Sequence, residues 1–378
     1  MKIGVLTGGG DCAGLNATIR GVVAKAEEYG FEVAGIQRGW KGLIEPEAVE
    51  VSYDDVEELV GVGGTFILTS RTNPFKMEGG PEKVLKSMKK LGLDCLVAIG
   101  GNDTLGVAHK LSKMGVKVVG VPKTMDNDLS STDYTFGFDS AVNVAMECID
   151  RVKTTGMSHE RVIVVEVMGR DAGWVAAYAG IACGAHAVLL PEKPYDIAQV
   201  CKTLKSRWDS GKRFSLVVVA EGAKPKGTGA RSTRGKALDA FGNPILGGVG
   251  QTIAQEIEKR TGLETREVVL GHVVRGGNPS AFDRVLATRF GAKAAEMVKQ
   301  GKFGMMVALR GNEVVPVEMG DALAQKLVDD GLAELLAPGG QERSVRGRDL
   351  DGRPAEGAEE QDHVRPRSRQ SPIPRRRP

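Results

Sequence analysis

The sequence predicts an α/β protein of two lobes, each built on a doubly wound, largely parallel sheet with helices on both faces. Three observations lead there. Short β-branched runs alternate with helix-length segments, most of those runs end in glycine-rich turns, and the chain has 378 residues. That length suits two lobes, since domains usually hold about 100–200 residues.

In chain order, Lys2–Thr7 reads as a strand, followed by the turn Gly8-Gly9-Gly10-Asp11 and a helix from Leu15. Residues 32–37 read as the second strand. Residues 95–99 repeat the pattern, with Gly100-Gly101-Asn102-Asp103-Thr104 leading into a helix through Leu111. Residues 117–121 form a strand ending at Pro122, and 161–167, 187–190, Ser215–Ala220 and 267–270 are further strands. Between them 141–151, 197–208 and 250–260 read as helices. Strands alternating with helices imply parallel pairing. Ligands of such sheets sit beyond the carboxyl ends of the strands, where the glycine turns fall. From Pro338 to Pro378 apolar periodicity gives way to Arg, Pro, Gly, Glu and Gln, a composition that cannot bury a core and is expected to be disordered. Arg375-Arg376-Arg377 is the feature there that would suit an acidic partner.

Composition narrows the function. A net charge of +3 is too small to argue for nucleic acid or a membrane surface, and only 5% of residues are aromatic. The longest apolar runs are a few residues and cannot span a bilayer. Met1 to Gly10 lacks the basic and apolar stretches of a signal peptide. The five cysteines, Cys12, Cys95, Cys148, Cys183 and Cys201, are odd in number and form no C-x-x-C pair. A reducing, cytoplasmic setting follows, with buried or incidental thiols.

The glycine turns carry the first chemistry. Glycine lets backbone N–H groups approach an anion, and the following helix N-terminus adds positive potential. Gly8-x-Gly10-x-x-Ala13 also fits the loose dinucleotide fingerprint, which wants an acidic residue after the second strand; Gln37-Arg38 stands there instead. A purely structural turn is the other reading of this loop. Two such turns suit a polyphosphate donor, with Arg71 as a cation between them or simply a surface arginine.

Pro122-Lys123-Thr124-Met125-Asp126-Asn127-Asp128 ends a strand with two carboxylates and a lysine, a set able to deprotonate an alcohol and neutralise a phosphate. An Asx-rich turn is the bland alternative. Ser158-His159-Glu160-Arg161, Met168-Gly169-Arg170, Ala220-Glu221-Gly222 and Gly271-His272-Val273-Val274-Arg275-Gly276-Gly277 set polar or basic groups near strand ends. Arginines with a histidine suit a dianionic phosphate.

Taken together and in order, Gly-Gly-Gly-Asp, Gly-Gly-x-Asp-Thr, Pro-Lys-Thr-x-Asp-Asn-Asp, Met-Gly-Arg, Ala-Glu-Gly and Gly-His-x-x-Arg-Gly-Gly resemble the 6-phosphofructokinases. Within them they resemble the bacterial group that includes pyrophosphate-dependent members. The resemblance runs from Met1 to about Glu318. It implies fructose 6-phosphate as acceptor, pyrophosphate or ATP as donor, magnesium, and a homodimer or homotetramer with shared active sites. It implies a phosphoryl-donor lobe from 1–138 with 254–305, a sugar-phosphate lobe from 139–253 with 306–336, and a tail over 337–378.

By the same resemblance Asp126 is the base for the sugar 1-hydroxyl, with Thr124, Met125 and Asp128 beside it. Gly10, Arg71, Gly101 and Thr104 bind the donor, while Lys123 and Arg170 stabilise the transferring group. Met168, Gly169, Glu221, His272 and Arg275 hold the sugar phosphate, and Arg161 and Arg266 reach in from a neighbouring subunit. Asp103 stands where ATP-dependent relatives have glycine, which points to pyrophosphate as donor. Asn102 replaces a metal-holding Asp or Glu, and Ala13 replaces a proline. An NAD-dependent oxidoreductase, resting on the first loop alone, and a non-catalytic sugar-phosphate sensor, suggested by Asn102, are the alternatives.

Overall fold

The computed structural model describes residues 1–227, 231–238 and 244–338. The predicted tail lies outside them from residue 339 onward.

The elements follow as β1 (Lys2–Thr7), α1 (Leu15–Glu28), β2 (Glu32–Ile36), α2 (Lys41–Ile44), β3 (Ala48–Glu50), α3 (Gly80–Lys90), β4 (Cys95–Gly100), α4 (Asn102–Lys113) and β5 (Val118–Pro122). Then come α5 (Phe138–Ser158), β6 (Val162–Val167), α6 (Trp174–Ala182), β7 (Ala187–Leu189), α7 (Ile197–Asp209) and β8 (Ser215–Ala220). The chain continues with β9 (Thr233–Leu238), β10 (Pro244–Leu246), α8 (Val249–Thr261), β11 (Thr265–Val269) and α9 (Ala281–Lys299). It ends in β12 (Met305–Arg310), β13 (Glu313–Glu318), α10 (Met319–Ala322) and α11 (Asp330–Leu336).

Two main sheets result. One has seven strands in the order β13-β12-β5-β4-β1-β2-β3, the other four in the order β11-β6-β8-β7. The inner pairs β1–β2, β1–β4 and β4–β5 are parallel, and the edge strands β3 and β13 run antiparallel. Pro316 in β13 costs no ladder bond that an inner strand would need, because the strand is an edge. Every residue of β4, β6 and β8 is buried. Continuous apolar runs of this kind are what a parallel sheet covered on both faces requires. The doubly wound α/β architecture predicted from sequence is the one found.

Helices α1 and α9 cross at glycine. A Cβ on Gly21 would strike the Thr288 carbonyl, and one on Gly291 would strike the Thr18 carbonyl, so the two backbones meet without side chains between them.

The sheets divide the chain differently from the boundaries expected. β11 pairs with β6 and so belongs to the second lobe, although 254–305 was expected in the first. β12 and β13 join β5 in the first lobe, although 306–336 was expected in the second. An apolar strand such as Met305–Arg310 would fit the interior of either sheet, and its hydrogen-bond neighbour is a property of the packed whole. α11 packs on α6 and β7 of the second lobe, so the chain crosses back after β13. Among the described residues all five cysteines are free thiols, and no helix is long and apolar enough to cross a membrane.

Candidate active site

The chain leaves β1 to one side for β2 and later returns on its other side as β4, so the turns after β1 and β4 face one crevice at the carboxyl edge. The Gly8 N–H donates to Ile99 O (2.9 Å) and the Lys123 N–H to Gly100 O (3.0 Å), binding the three loops together. Thr104, 3% exposed, fills the space between the first two turns. A Cβ on Gly8 would come within 2.5 Å of the Thr104 Oγ1, which is why glycine stands there. α4 opens at Asn102 after Gly101, with no side-chain cap, so its first N–H groups face the crevice unsatisfied by a cap.

Two adjoining cavities occupy the crevice. The first, about 350 Å³, is walled by the glycine turns, Arg71, Asn102, Asp103, Thr104, Lys123, Thr124, Met125, Asp126, Asp128, Arg170, Asp171 and Arg275. The second, about 270 Å³, takes its walls from the second lobe: Glu166, Val167, Met168, Glu221, Leu246, Val269, Gly271 and His272. Four residues line both: Arg71, Asp126, Arg170 and Arg275. One carboxylate and three guanidinium groups thus stand at the junction.

Burial sets the electrostatics there. Lys123, 4% exposed, donates to the Gly10 carbonyl, and burial lowers its pKa. Burial raises the Asp126 pKa above the usual carboxylate range, against the pull of Arg275, Lys123 and Arg170. Its Oδ1 is buried with no protein partner, while its N–H donates to Thr124 Oγ1 (3.1 Å). Burial and the Asp126 charge push Asp128 up to about 7. Asn102 donates Nδ2 to Asp128 Oδ2 (3.3 Å), leaving its own Oδ1 buried without a partner. Arg275 donates to the Asp11 carbonyl (3.1 Å), which ties the 271–277 segment to the first glycine turn.

Most of the residues singled out in sequence converge here. Gly10, Arg71, Gly101, Asn102, Asp103, Thr104, Lys123, Thr124, Asp126, Asp128 and Arg170 line the first cavity; Met168, Glu221 and His272 line the second, and Arg275 lines both. Two, Met125 and Gly169, do not fit the roles expected of them, and two more, Arg161 and Arg266, stand apart from both cavities. The Met125 side chain, 1% exposed, packs in the hydrophobic core and offers the cavity wall rather than a hydrogen bond. Gly169 lies behind the second cavity at φ 149°, its carbonyl accepting from the Gly222 N–H (3.0 Å). Its role is backbone shape, since a Cβ there would come within 2.9 Å of the Ala172 carbonyl. Arg161 and Arg266 line neither cavity of this chain; both pair with Glu264, at 2.7 and 2.6 Å.

Sequence reasoning missed Glu166 and Asp171. Glu166 is 3% exposed in β6 and accepts from the Gly250 N–H at the start of α8 (2.8 Å). In sequence it is one acid inside an apolar strand, and the break in the Val-Ile-Val-Val-Glu-Val run was the available signal. Asp171 lines the first cavity and pairs with Arg231, a partner 60 residues away.

Comparisons with known proteins bear on this geometry. The phosphofructokinase family model matches residues 2–298. The pyrophosphate–fructose 6-phosphate 1-phosphotransferase of Amycolatopsis methanolica is 54% identical over 327 residues, covering 86% of this chain and 95% of that protein. An ATP-dependent 6-phosphofructokinase of Streptomyces coelicolor is 50% identical, covering 85% of this chain and 95% of the other. The crystal structure of pyrophosphate-dependent phosphofructokinase from Marinobacter aquaeolei shares the fold, with a TM-score of 0.75 at 23% identity, over 97% of this chain and 98% of that one.

Proposed function

The chain belongs to the phosphofructokinase family, and we propose that it transfers a phosphoryl group from pyrophosphate to O1 of fructose 6-phosphate, giving fructose 1,6-bisphosphate and phosphate. The observation that carries this is Asp126. Its unpartnered buried oxygen stands where a donor cavity and a sugar-phosphate cavity meet, among three arginines.

The sugar O1 hydroxyl gives its proton to Asp126, whose burial raises its pKa and makes it a stronger proton acceptor than an ordinary carboxylate. The O1–phosphorus bond forms as the bridging P–O bond of pyrophosphate breaks, and phosphate leaves. Lys123 and Arg170 neutralise charge on the transferring group without reorganising, because the fold already holds them in place. Met168, Glu221, His272 and Arg275 hold the sugar phosphate. With pyrophosphate as donor the reaction is read as near thermoneutral and should run both ways.

Oxygen donors at this site fit a hard divalent cation such as magnesium. Asn102 and Asp126 each present an unpartnered buried oxygen, and Asp128 lies beside Asn102. No group of three His, Cys, Asp or Glu among the described residues could hold a metal alone. Magnesium keeps several waters and shares phosphate oxygens, so one or two protein oxygens suffice. When bound it would neutralise the phosphates; Asn102 and Asp128 would hold it, leaving Asp126 free to take the proton. We also read the enzyme as a cytoplasmic homodimer or homotetramer.

Asp103 decides the donor. It is exposed in the wall of the donor cavity, at the second residue of α4, where its charge would repel the extra phosphate of ATP. The 50% identity to an ATP-dependent enzyme supports ATP as the second reading. The test is a coupled assay with fructose 6-phosphate and each donor in turn. Wild type should use pyrophosphate at least about tenfold better, a difference of about 1.4 kcal/mol, and Asp103→Gly should narrow that ratio. A wild-type preference for ATP, unmoved by the glycine, would reverse the donor assignment.

A further inference from the structure

We infer that Lys326 is a positioning residue: it clamps the loop carrying Asp126 and Asp128 to the loop carrying Arg170, and so sets the distance between base and phosphoryl-stabilising arginine. The inference rests on the phosphoryl-transfer reading above.

Residues 324–328 run as a strap from one lobe to the other. On the first lobe, Leu129 and Gln325 form an antiparallel bridge, the Ser130 N–H donates to Ala324 O (3.0 Å), and the Lys326 N–H donates to Asp128 O (2.8 Å). The Lys326 ammonium then donates to the carbonyls of Thr132 (3.2 Å) and Asp133 (2.6 Å), closing the far end of the same loop. On the second lobe, Trp174 Nε1 donates to Lys326 O (3.0 Å). The ammonium also lies 5.3 Å from the Trp174 ring centroid and 6.0 Å from that of Tyr134, within cation–π range. Trp174 opens α6, directly after the 168–173 loop. Glu192 Oε1 accepts from both Gly173 (2.9 Å) and Val328 (3.0 Å), so loop and strap share one anchor.

The Lys326 side chain therefore joins the end of the first loop, at the Thr132 and Asp133 carbonyls, to the Trp174 ring that directly follows the second, while its backbone bonds Asp128 and Trp174 Nε1. Lys326, Thr132, Asp133 and Trp174 line neither cavity. In-line transfer is sensitive to such spacing: a displacement of about 1 Å costs about 10²-fold.

Lys326→Met keeps the stem and removes the charge and donors. It should lower kcat at least about tenfold while the KM for fructose 6-phosphate moves less than about threefold, because spacing and not binding is lost. Lys326→Arg should recover kcat to within about threefold of wild type, since charge and donors return. Trp174→Leu, which removes the ring that the ammonium faces, should lower kcat in the same direction, and the double variant should fall short of additivity because either single change already loses the ammonium–ring contact. A kcat lost only in proportion to unfolded protein, additive effects, or no rescue by arginine would overturn the clamp. If wild type transfers from neither donor, the functional reading fails, and the clamp is judged on fluorescence alone. The emission assigned to Trp174, by difference against Trp174→Phe, should shift in Lys326→Met; unmoved emission overturns it.

Discussion

Asp126 has one oxygen buried without a protein partner and a carboxyl held above its usual range by burial. Replacing it with asparagine keeps shape and removes the proton acceptor. Asp126→Asn should lower kcat by about 10²–10⁴-fold. Its melting temperature at neutral pH should hold or rise, because the cost of burying an ionised carboxylate disappears. Steady-state assays beside thermal melts separate the two effects, and near-wild-type turnover would remove Asp126 from the chemistry. At this scale the sequence was informative for Lys123, Asp126 and Arg275, whose residue types announce phosphate chemistry. It was misleading for Met125 and Gly169, because adjacency in a motif does not say which way a side chain faces. Met125 alternates inward on its loop, and Gly169 is there for the close approach of Ala172.

Helices α5 and α9 begin side by side, and Asp283 joins them. Its Oδ2 accepts from the Ser140 N–H (2.8 Å) and Oγ (2.6 Å), while its own N–H donates to the cap Ser280 (3.2 Å). The side chain is fully buried, and burial pushes it up to about 6 from 3.8. The folded state therefore holds this proton across a window where the unfolded chain has released it. That contribution is complete below about 3.8 and is lost as pH rises through about 6. About two units at 1.36 kcal/mol each set an upper size near 3 kcal/mol. In denaturant titrations from pH 4 to 7, Asp283→Asn should lack this slope, whatever its absolute stability. An unchanged slope would mean that Asp283 does not titrate there. α9 was not anticipated from sequence, for a physical reason: its buried face mixes Leu286, Phe290, Met297 and Val298 with Ala287, Gly291, Ala294 and Ala295, and the small residues dilute the apolar stripe. α5, α7 and α8 were anticipated because a wide apolar face recurs at helical spacing.

Across the whole molecule the site is assembled from both lobes, and Arg161 and Arg266 stand outside it, paired with Glu264. If these arginines complete a neighbouring subunit's sugar-phosphate cavity, Asp126→Asn and Arg266→Ala subunits should complement each other. Random mixing into dimers should restore about a quarter of wild-type activity, since half the dimers are hybrid and each has one whole site. No recovery after verified subunit exchange would place Arg266 outside catalysis. The amino-acid sequence by itself determined the alternation of strands and helices, the glycine turns at strand ends and the acid–lysine loop, because each is written in neighbouring residues. Local backbone preference and side-chain type suffice for them. Tertiary structure alone decided that β11 joins the second sheet and β12 the first, that Glu166 and Asp171 face the cavities, and that Lys326 reaches both lobes. Those facts depend on hydrogen bonds and packing between segments up to about 200 residues apart, such as Lys326 with Asp133, separated by 193. No local pattern encodes which of several compatible partners a segment meets; the packing of the whole chain selects it.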